Sequence, residues 1–341
     1  MAGNSLNVVI GSRFACILLA ATLIFPGLSH AQPAQAIRIV PVRGNVYLLS
    51  GAGANIALSV GPEGALLVDS GAEGSSSRVL AAVRELNLSI STGGKPEAGG
   101  GDPVLSIAYV LNTSARPDHV GGNSAIAADG RPGVNLSDFG AGGGLSIFAH
   151  ELVLQHMSDA KLPSSGYPTL TFVGAAMKLS RWFNGEGIEM FHMPAAVTDG
   201  DSIVHFRGSD VISTGDIFDL TRYPMIGVKD GGSIQGEIAA LNRLLDLVIP
   251  DDRSEGGTLL IPSRGRICDV ADLAYYRNMV TEVRDRVQAM ARKGLTLEQI
   301  QKARPTEDWD PRFGKDPSWT PAQFVESVFT TLKQDAGHAS K

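Results

Sequence analysis

Four short polar segments, each following an apolar run, contain the residues of this sequence that could do chemistry. The first, SARPDH, places a carboxylate and an imidazole side by side at Asp118 and His119. The other three segments are PAAVTDGD at residues 194–201, STGD at 213–216 and PSRGRICD at 262–269. Binding and catalytic residues concentrate in loops at the ends of strands. We therefore take these four segments as the candidate functional site.

The polar residues of the first segment could perform acid–base or nucleophilic chemistry, or they could have ordinary structural roles. Asp118 could cap a helix that begins near Gly121, and His119 could be a satisfied polar residue of the same turn. Ser114 could act as a nucleophile with His119 as its base, but the sequence lacks the G-x-S-x-G turn that usually presents such a serine. The residue types alone leave these alternatives open.

Other polar residues near the segments favour structural roles. Asp199 and Asp201 are typical of a turn and of the start of a strand. His192 is expected to be a packed or surface histidine on a strand. Cys268 is expected to be a small buried residue, because no base for it can be identified.

The first half of the chain is predicted to be rich in strands. NVYLLS, NIALSV, GALLVDSG and VLSIAYVLNT are typical of short, mostly buried strands, and SSSRVLAAVRELNLS predicts a helix between them. A second strand set begins with an alternating stretch around the turn signal Asn184-Gly185, which predicts a hairpin. Two sheets are therefore expected. The glycine-rich residues 91–103 and 140–146 are expected to be mobile surface insertions.

Helices are predicted to dominate after residue 269. The first should end at Gly294, and Thr296 with Gln299 forms the sequence pattern of a capping box. Thr320 and Pro321 should begin a last amphipathic helix.

The first residues have the pattern of a secretory signal. Arg13 precedes an apolar run at 14–25, too short to span a bilayer, and SHA ends at Ala31 as a small-residue cleavage site. We expect cleavage after Ala31, with Ala36 as the alternative, and a secreted or periplasmic protein without a membrane span.

The net charge and the cysteine content exclude one class of partner and one kind of covalent bond. Residues 1–31 contain one basic residue and no acidic one, so their removal changes the net charge from −6 to −7, which argues against nucleic acid. Cys16 leaves with the signal, so Cys268 has no partner for an intramolecular disulfide.

In their order along the chain, the four segments and VDSG at residues 68–71 resemble the metallo-β-lactamase superfamily. The first loop of that family reads His-x-His-x-Asp-His and is followed, as here, by Gly-Gly-Asn. The resemblance runs from about Val46 to Asp269. It implies an α+β fold, a four-layer αββα sandwich over residues 37–269, with a C-terminal helical extension over 270–335.

The resemblance also implies a damaged dinuclear metal centre. Three of the seven ligand positions keep a ligand: Asp118, His119 and Asp216. The other four positions carry Ser114, Arg116, Val197 and Arg264. Asp69 would brace the metal loop through backbone hydrogen bonds.

The lost positions remove one of the two metal sites of the family. Serine is a poor zinc ligand, arginine cannot be deprotonated, and valine has no lone pair. The three remaining ligands could bind a single zinc ion with water. Two guanidinium groups nearby would oppose that ion, because like charges about 4 Å apart repel by about 4 kcal/mol at an effective dielectric of 20. We expect no resident cofactor, with zinc at a single residual site as the alternative.

The two arginines could instead replace the metal. Clustered, partly buried carboxylates need counter-charges, and guanidinium groups supply them in bidentate geometry. We expect Arg264 to pair with Asp216 and Arg116 with Asp118; the alternative is that both arginines point into solvent.

Two functions of different classes follow. The first is a pseudoenzyme with a decayed hydrolase site that binds a small, anionic molecule between Arg116 and Arg264. The second is a mononuclear hydrolase of an ester, lactone or amide that uses Asp118, His119 and Asp216. Metal content separates them, and the acyl-serine route through Ser114 is a third alternative.

Overall fold

The computed structural model describes Met1 and residues 36–91, 107–129, 145–179, 182–253 and 256–339. The predicted signal segment lies outside the described residues, as do most of residues 91–103 and 140–146; Ser146 is the first residue of a strand. None of the described helices combines the length and apolar character that crossing a membrane requires.

The first sheet contains seven strands in the order in which they occur along the chain. They are β1 Arg38–Arg43, β2 Val46–Ser50, β3 Ile56–Gly61, β4 Gly64–Val68, β5 Ile107–Asn112, β6 Ser146–His150 and β7 Leu170–Phe172. Strands β1 to β4 pair antiparallel through short turns. Strands β4 to β7 pair parallel, because connections that contain helices separate them. These helices are α1 Ser76–Ser91, α2 Pro117–Val120, α3 Asn123–Asp129 and α4 Glu151–Asp159.

The second sheet contains five strands: β8 Ala176–Lys178, β9 Ile188–His192, β10 Ser202–Phe206, β11 Val211–Ser213 and β12 Leu259–Ile261. The predicted hairpin is confirmed, since β8 and β9 pair antiparallel and Phe183 bridges Glu186 across the turn. Asn184 and Gly185 both have positive φ, 50° and 83°, which this tight turn requires.

Three hydrophobic clusters define four layers, so the predicted αββα sandwich is confirmed. The middle cluster joins the two sheets, with Leu66 and Leu111 of the first sheet and Val204 and Phe206 of the second. A second cluster packs α1 and α3 on the outer face of the first sheet. A third packs the outer face of the second sheet against α5 Ile234–Leu247, α6 Val270–Arg292 and α9 Pro321–Ala339. Each sheet thus buries both faces.

The C-terminal helices are present as predicted. Helix α6 ends at Arg292, shortly before Gly294 at φ 82°. Thr296 and Gln299 form the capping box of α7 Leu297–Lys302. After the short α8 Asp310–Phe313, α9 begins at Pro321. Because α6 and α9 share one core with the second sheet, the helical extension supplies most of the fourth layer. The boundary at residues 269 and 270 stays a prediction.

Candidate functional site

The site is built on the carboxyl ends of four strands. Asp69 follows β4, the Thr113–His119 loop follows β5, Asp216 follows β11, and Arg264 follows β12. Hydrogen bonds join the loops: Ser70 donates its backbone N–H to the His119 carbonyl at 2.7 Å, and Asn55 donates its side-chain amide to the carbonyls of Pro262 and Gly265. Three of the four segments selected from the sequence, those at residues 114–119, 213–216 and 262–269, therefore meet with VDSG at one edge of the sandwich.

Asp69 fixes the position of His119. Its Oδ1 accepts the Thr113 backbone N–H at 2.8 Å, and its Oδ2 accepts the Thr113 hydroxyl at 2.6 Å and lies 2.7 Å from His119 Nδ1. Asp69 has φ 67°, in the left-handed region, and these bonds offset the cost of that backbone. The backbone contact implied by the family resemblance is present, and the direct contact with His119 adds to it.

His119 and Asp216 face each other in a buried contact. His119 Nε2 lies 3.1 Å from Asp216 Oδ1, which also accepts the Ser263 hydroxyl at 2.8 Å. Neither His119 Nε2 nor Asp216 Oδ2 has a hydrogen bond of good geometry among the described residues. Gly215, at φ 53°, allows the loop that carries Asp216 to lie against Thr113, because a Cβ there would lie 2.7 Å from Thr113 Oγ1.

Both arginines pair with the carboxylates, but with exchanged partners. Arg264 donates a hydrogen bond to Asp118 Oδ2. Arg116 NH1 donates to the Met225 carbonyl at 3.1 Å and lies 3.5 Å from Asp216 Oδ2. The expected partners were wrong for a geometric reason: Arg116 and Asp118 lie two positions apart at the start of α2, and side chains with that spacing do not face each other.

Arg222 is a third arginine of the site, one that the sequence analysis missed. Its Nε donates to Asp219 Oδ2 at 3.0 Å, and its NH2 lies 3.9 Å from Asp216 Oδ1. Its NH1 donates to Asp316, in the segment before α9. The spacing of Asp219 and Arg222 by three residues was the available signal; nothing local pointed to Asp316.

The charges of the site form one coupled group. Burial alone would raise the pKa of Asp216, but His119, Arg116 and Arg222 hold it well below its usual value. Burial opposes ionisation of His119 too, yet Asp216 and Asp69 raise its pKa well above the usual range. Against burial, His119 and Arg264 lower the pKa of Asp118. These shifts favour the ionised forms of Asp118 and Asp216 and the protonated form of His119.

Ser114 and Val197, the residues at the two other substituted ligand positions, are buried. Ser114 Oγ accepts the Arg116 backbone N–H at 3.4 Å, while both ring nitrogens of His119 face carboxylates. This geometry does not support a Ser114 nucleophile activated by His119. Val197 is fully buried, and its carbonyl accepts the Gly227 N–H at 2.8 Å.

The remaining polar candidates have structural contacts. Asp201 accepts the backbone N–H and the hydroxyl of Thr198, which closes the turn before β10. His192 stacks on His150 with ring centroids 3.7 Å apart. Cys268 is buried, and burial raises the pKa of its thiol to about 12.

The residues at the ligand positions cannot hold two metal ions. Those that remain have the donor atoms that a single ion would need. Val197 and Arg116 offer no ligand atom at positions the first metal would need. Asp118, His119 and Asp216 each place one ligand atom within 4.8 Å of the others, the only such cluster among the described residues. His119 Nε2 and Asp216 Oδ2, which lack a hydrogen bond of good geometry among the described residues, are zinc ligands in type once His119 has lost its proton. Both carboxylates, however, already contact a guanidinium group.

No protein-family model matches the sequence, and no curated protein matches it. Solved structures do match. The metallo-β-lactamase DIM-1 aligns with a TM-score of 0.51 and 16% identity over 72% of this chain and 98% of that one. The chain has the metallo-β-lactamase fold.

Two further structures share this metallo-β-lactamase fold. A metallo-β-lactamase from Pontibacter korlensis aligns with a TM-score of 0.51 and 14% identity over 72% of this chain and 99% of that one. The sec-alkylsulfatase Pisa1 from Pseudomonas sp. aligns with a TM-score of 0.60 and 15% identity over 86% of this chain and 50% of that one. This chain matches half the length of the alkylsulfatase. At these identities the similarity concerns the fold, and function must be argued from the site.

Proposed function

We propose that this is a secreted protein of the metallo-β-lactamase fold whose metal centre has been replaced by arginine–carboxylate pairs, and which binds a small anionic molecule. The observation that carries the proposal is the contact of Arg264 with Asp118 and of Arg116 with Asp216, two carboxylates at ligand positions of the family. These contacts neutralise the charges of a buried and a partly buried carboxylate without an ion.

The arginines retain donors for a ligand. A guanidinium group has five N–H donors. Arg116 uses NH1 for the Met225 carbonyl, and Arg264 uses NH2 for Asp118 and NH1 for Ser263. Both side chains are about one-quarter exposed, so an anion can reach the remaining donors. The net charge of −6 keeps nucleic acid an unsuitable partner.

Hydrolysis should be impaired in this arrangement. The hydrolases of this kind use metal to lower the pKa of water to near 7. Arg116 and Val197 cannot supply ligands to the first ion, and no other group of the site replaces that activation. We expect negligible hydrolysis of β-lactams and simple lactones.

Elemental analysis of protein purified without chelator tests the metal-independent function. We expect less than one equivalent of zinc, and calorimetric titration with sulfate should detect binding that Arg116→Gln weakens. Stoichiometric zinc, or sulfate binding unaffected by Arg116→Gln, would contradict the proposal.

A mononuclear hydrolase of an ester, lactone or amide is the second candidate, favoured by His119 Nε2 and Asp216 Oδ2, which have no hydrogen bond of good geometry among the described residues. Asp118, His119 and Asp216 would hold the ion, which when bound supplies a Lewis acid and an activated water. Asp69 would orient His119 by holding its Nδ1. Zinc should then raise the unfolding temperature of the protein but not of a His119→Ala variant, and chelator should abolish hydrolysis.

Secretion has its own test. Amino-terminal sequencing of the exported protein should give Gln32, or Ile37 if cleavage follows Ala36. A chain that retains residues 1–31 in the cytoplasm would refute the signal assignment.

A further inference from the structure

A cleft of about 570 Å³ opens beside Arg116, between the start of α2, helix α3 and the end of α4. Most of its wall is apolar and includes Val120, Met157, Leu162 and Met225. Val120 and Met157 belong to a small hydrophobic cluster, and Leu162 packs against it. A volume of this size is typical of pockets for small organic molecules.

Arg116 is the only cation among the described residues that line this cleft. Its NH1 is held by the carbonyl of Met225, which belongs to the same wall. Of the two acids in the lining, Asp118 is paired with Arg264, and Glu73 lies exposed at the rim. Arg116 also lies 3.5 Å from Asp216 Oδ2, but it shares that carboxylate with His119 and Arg222. One end of the cleft therefore offers a positioned positive charge next to an apolar surface.

We propose that the cleft binds a small amphipathic anion, with its charged group at Arg116 and its hydrocarbon part against Val120, Met157 and Leu162. The proposal rests on the anion-binding function argued above and adds the chemical class of the ligand. An inorganic anion would use Arg116 but leave the apolar wall in water. An anion with a hydrocarbon part covers that wall, which is the larger source of binding energy.

Calorimetric titration with octanoate, acetate and octylammonium tests the ligand class. Each buried methylene should tighten binding about fourfold, so partial burial of the octanoate chain should make octanoate bind at least about 100-fold more tightly than acetate. Octylammonium, which has the same chain and the opposite charge, should bind at least about tenfold more weakly than octanoate. In Arg116→Gln, octanoate should bind at least about tenfold more weakly than in the wild type.

A matched pair of variants on α3 tests the location. Ala125 is exposed and lines the cleft, so Ala125→Trp should fill it without disturbing the core. Ala128 is exposed on the same helix and does not line the cleft. Ala125→Trp should weaken octanoate binding at least about tenfold, while Ala128→Trp should not change it; unfolding temperatures of both variants verify that they fold.

The possible outcomes separate this proposal from the function on which it rests. If neither sulfate, acetate nor octanoate binds, the anion-binding function itself is wrong. If acetate and octanoate bind equally and both depend on Arg116, that function stands and the amphipathic ligand is refuted. Equal binding of octanoate and octylammonium, or equal effects of Ala125→Trp and Ala128→Trp, would also overturn the proposal.

Discussion

Arg264 and Asp118 form a hydrogen-bonded ion pair that joins the loop after β12 to the start of α2, and their side chains are exposed to almost the same extent, 24% and 25%. The pair therefore links the ends of the two sheets. It also occupies two positions that ligate metal in the family the sequence resembles. The charge of Asp118 is thus balanced by the Arg264 side chain.

The Arg264–Asp118 pair should contribute measurably to stability. Partial burial places it between exposed pairs, worth at most about 1 kcal/mol, and buried pairs, whose disruption costs about 3 to 5 kcal/mol. In a double-mutant cycle of Arg264→Ala and Asp118→Asn, we expect a coupling free energy of about 1 to 2 kcal/mol from urea unfolding.

Arg84 and Asp129 provide the matched control for that cycle. They form an ion pair with side chains exposed by 57% and 40%. The cycle of Arg84→Ala and Asp129→Asn should give a coupling of at most about 0.5 kcal/mol. Equal coupling in the two cycles, or strict additivity at Arg264 and Asp118, would show that Arg264 acts as a solvent-facing residue.

Asp216→Asn should destabilise the protein more than Arg264→Ala or Asp118→Asn does. The carboxylate is buried and faces three cations, His119, Arg116 and Arg222, which would lose their common counter-charge. Loss of one partner from a buried ionic group costs about 3 to 5 kcal/mol. Urea unfolding at pH 7 measures this cost, and Arg116→Gln combined with Asp216→Asn should cost less than the sum of the two. A loss below about 1 kcal/mol would contradict the buried network.

The fold was predictable because its signals are local. The pairing of β8 with β9, the Asn184-Gly185 turn and the Thr296–Gln299 capping box each depend on neighbours in sequence, and all three are present. The order of the loop segments then indicated the sandwich, which the three hydrophobic clusters confirm.

The pairing within the site was less predictable because it depends on side-chain direction. Sequence positions indicated that Arg116 and Arg264 would meet carboxylates, but not which ones. Arg116 leaves the start of α2 in a direction that brings it to Asp216 rather than Asp118. Arg222 and Asp316 meet only because the segment before α9 packs beside the site. No local pattern encodes such a contact.

The stacked pair of His150 and His192 should make stability depend on pH in the acidic range. Burial and the neighbouring His192 lower the pKa of His150 to about 4, against about 6.5 in an unfolded chain, although Asp199 opposes this. The unfolded state therefore takes up the proton first, and stability falls as pH falls from about 6.5 to about 4. The full loss is about 3 kcal/mol.

His150→Asn isolates that contribution. Asparagine is a good residue at the N-cap of α4, where His150 accepts the Leu152 N–H, and it does not titrate. The unfolding free energy of the variant should change less between pH 7 and pH 4 than that of the wild type. Parallel pH profiles for the two proteins would show that His150 does not carry this dependence.

The contribution of Glu237 to stability should depend on pH in the opposite direction to that of His150. It is fully buried in the first turn of α5, and neither carboxylate oxygen has a hydrogen-bond partner among the described residues. Burial, with added repulsion from Asp201 and Asp216, raises its pKa well above the usual range, so folding favours the protonated form of Glu237. Because the folded pKa is raised, the contribution of Glu237 to stability is fully present below the unfolded pKa of about 4.3 and is lost as pH rises.

Glu237→Gln mimics the protonated acid, so the stability of this variant relative to the wild type should increase by up to about 1.4 kcal/mol per pH unit above pH 5, measured by urea unfolding. Asp246→Asn, an exposed change on the same helix, is the control and should show no such increase. A Glu237→Gln variant that is less stable than the wild type at every pH would instead mean that Glu237 is ionised and pairs with a cation.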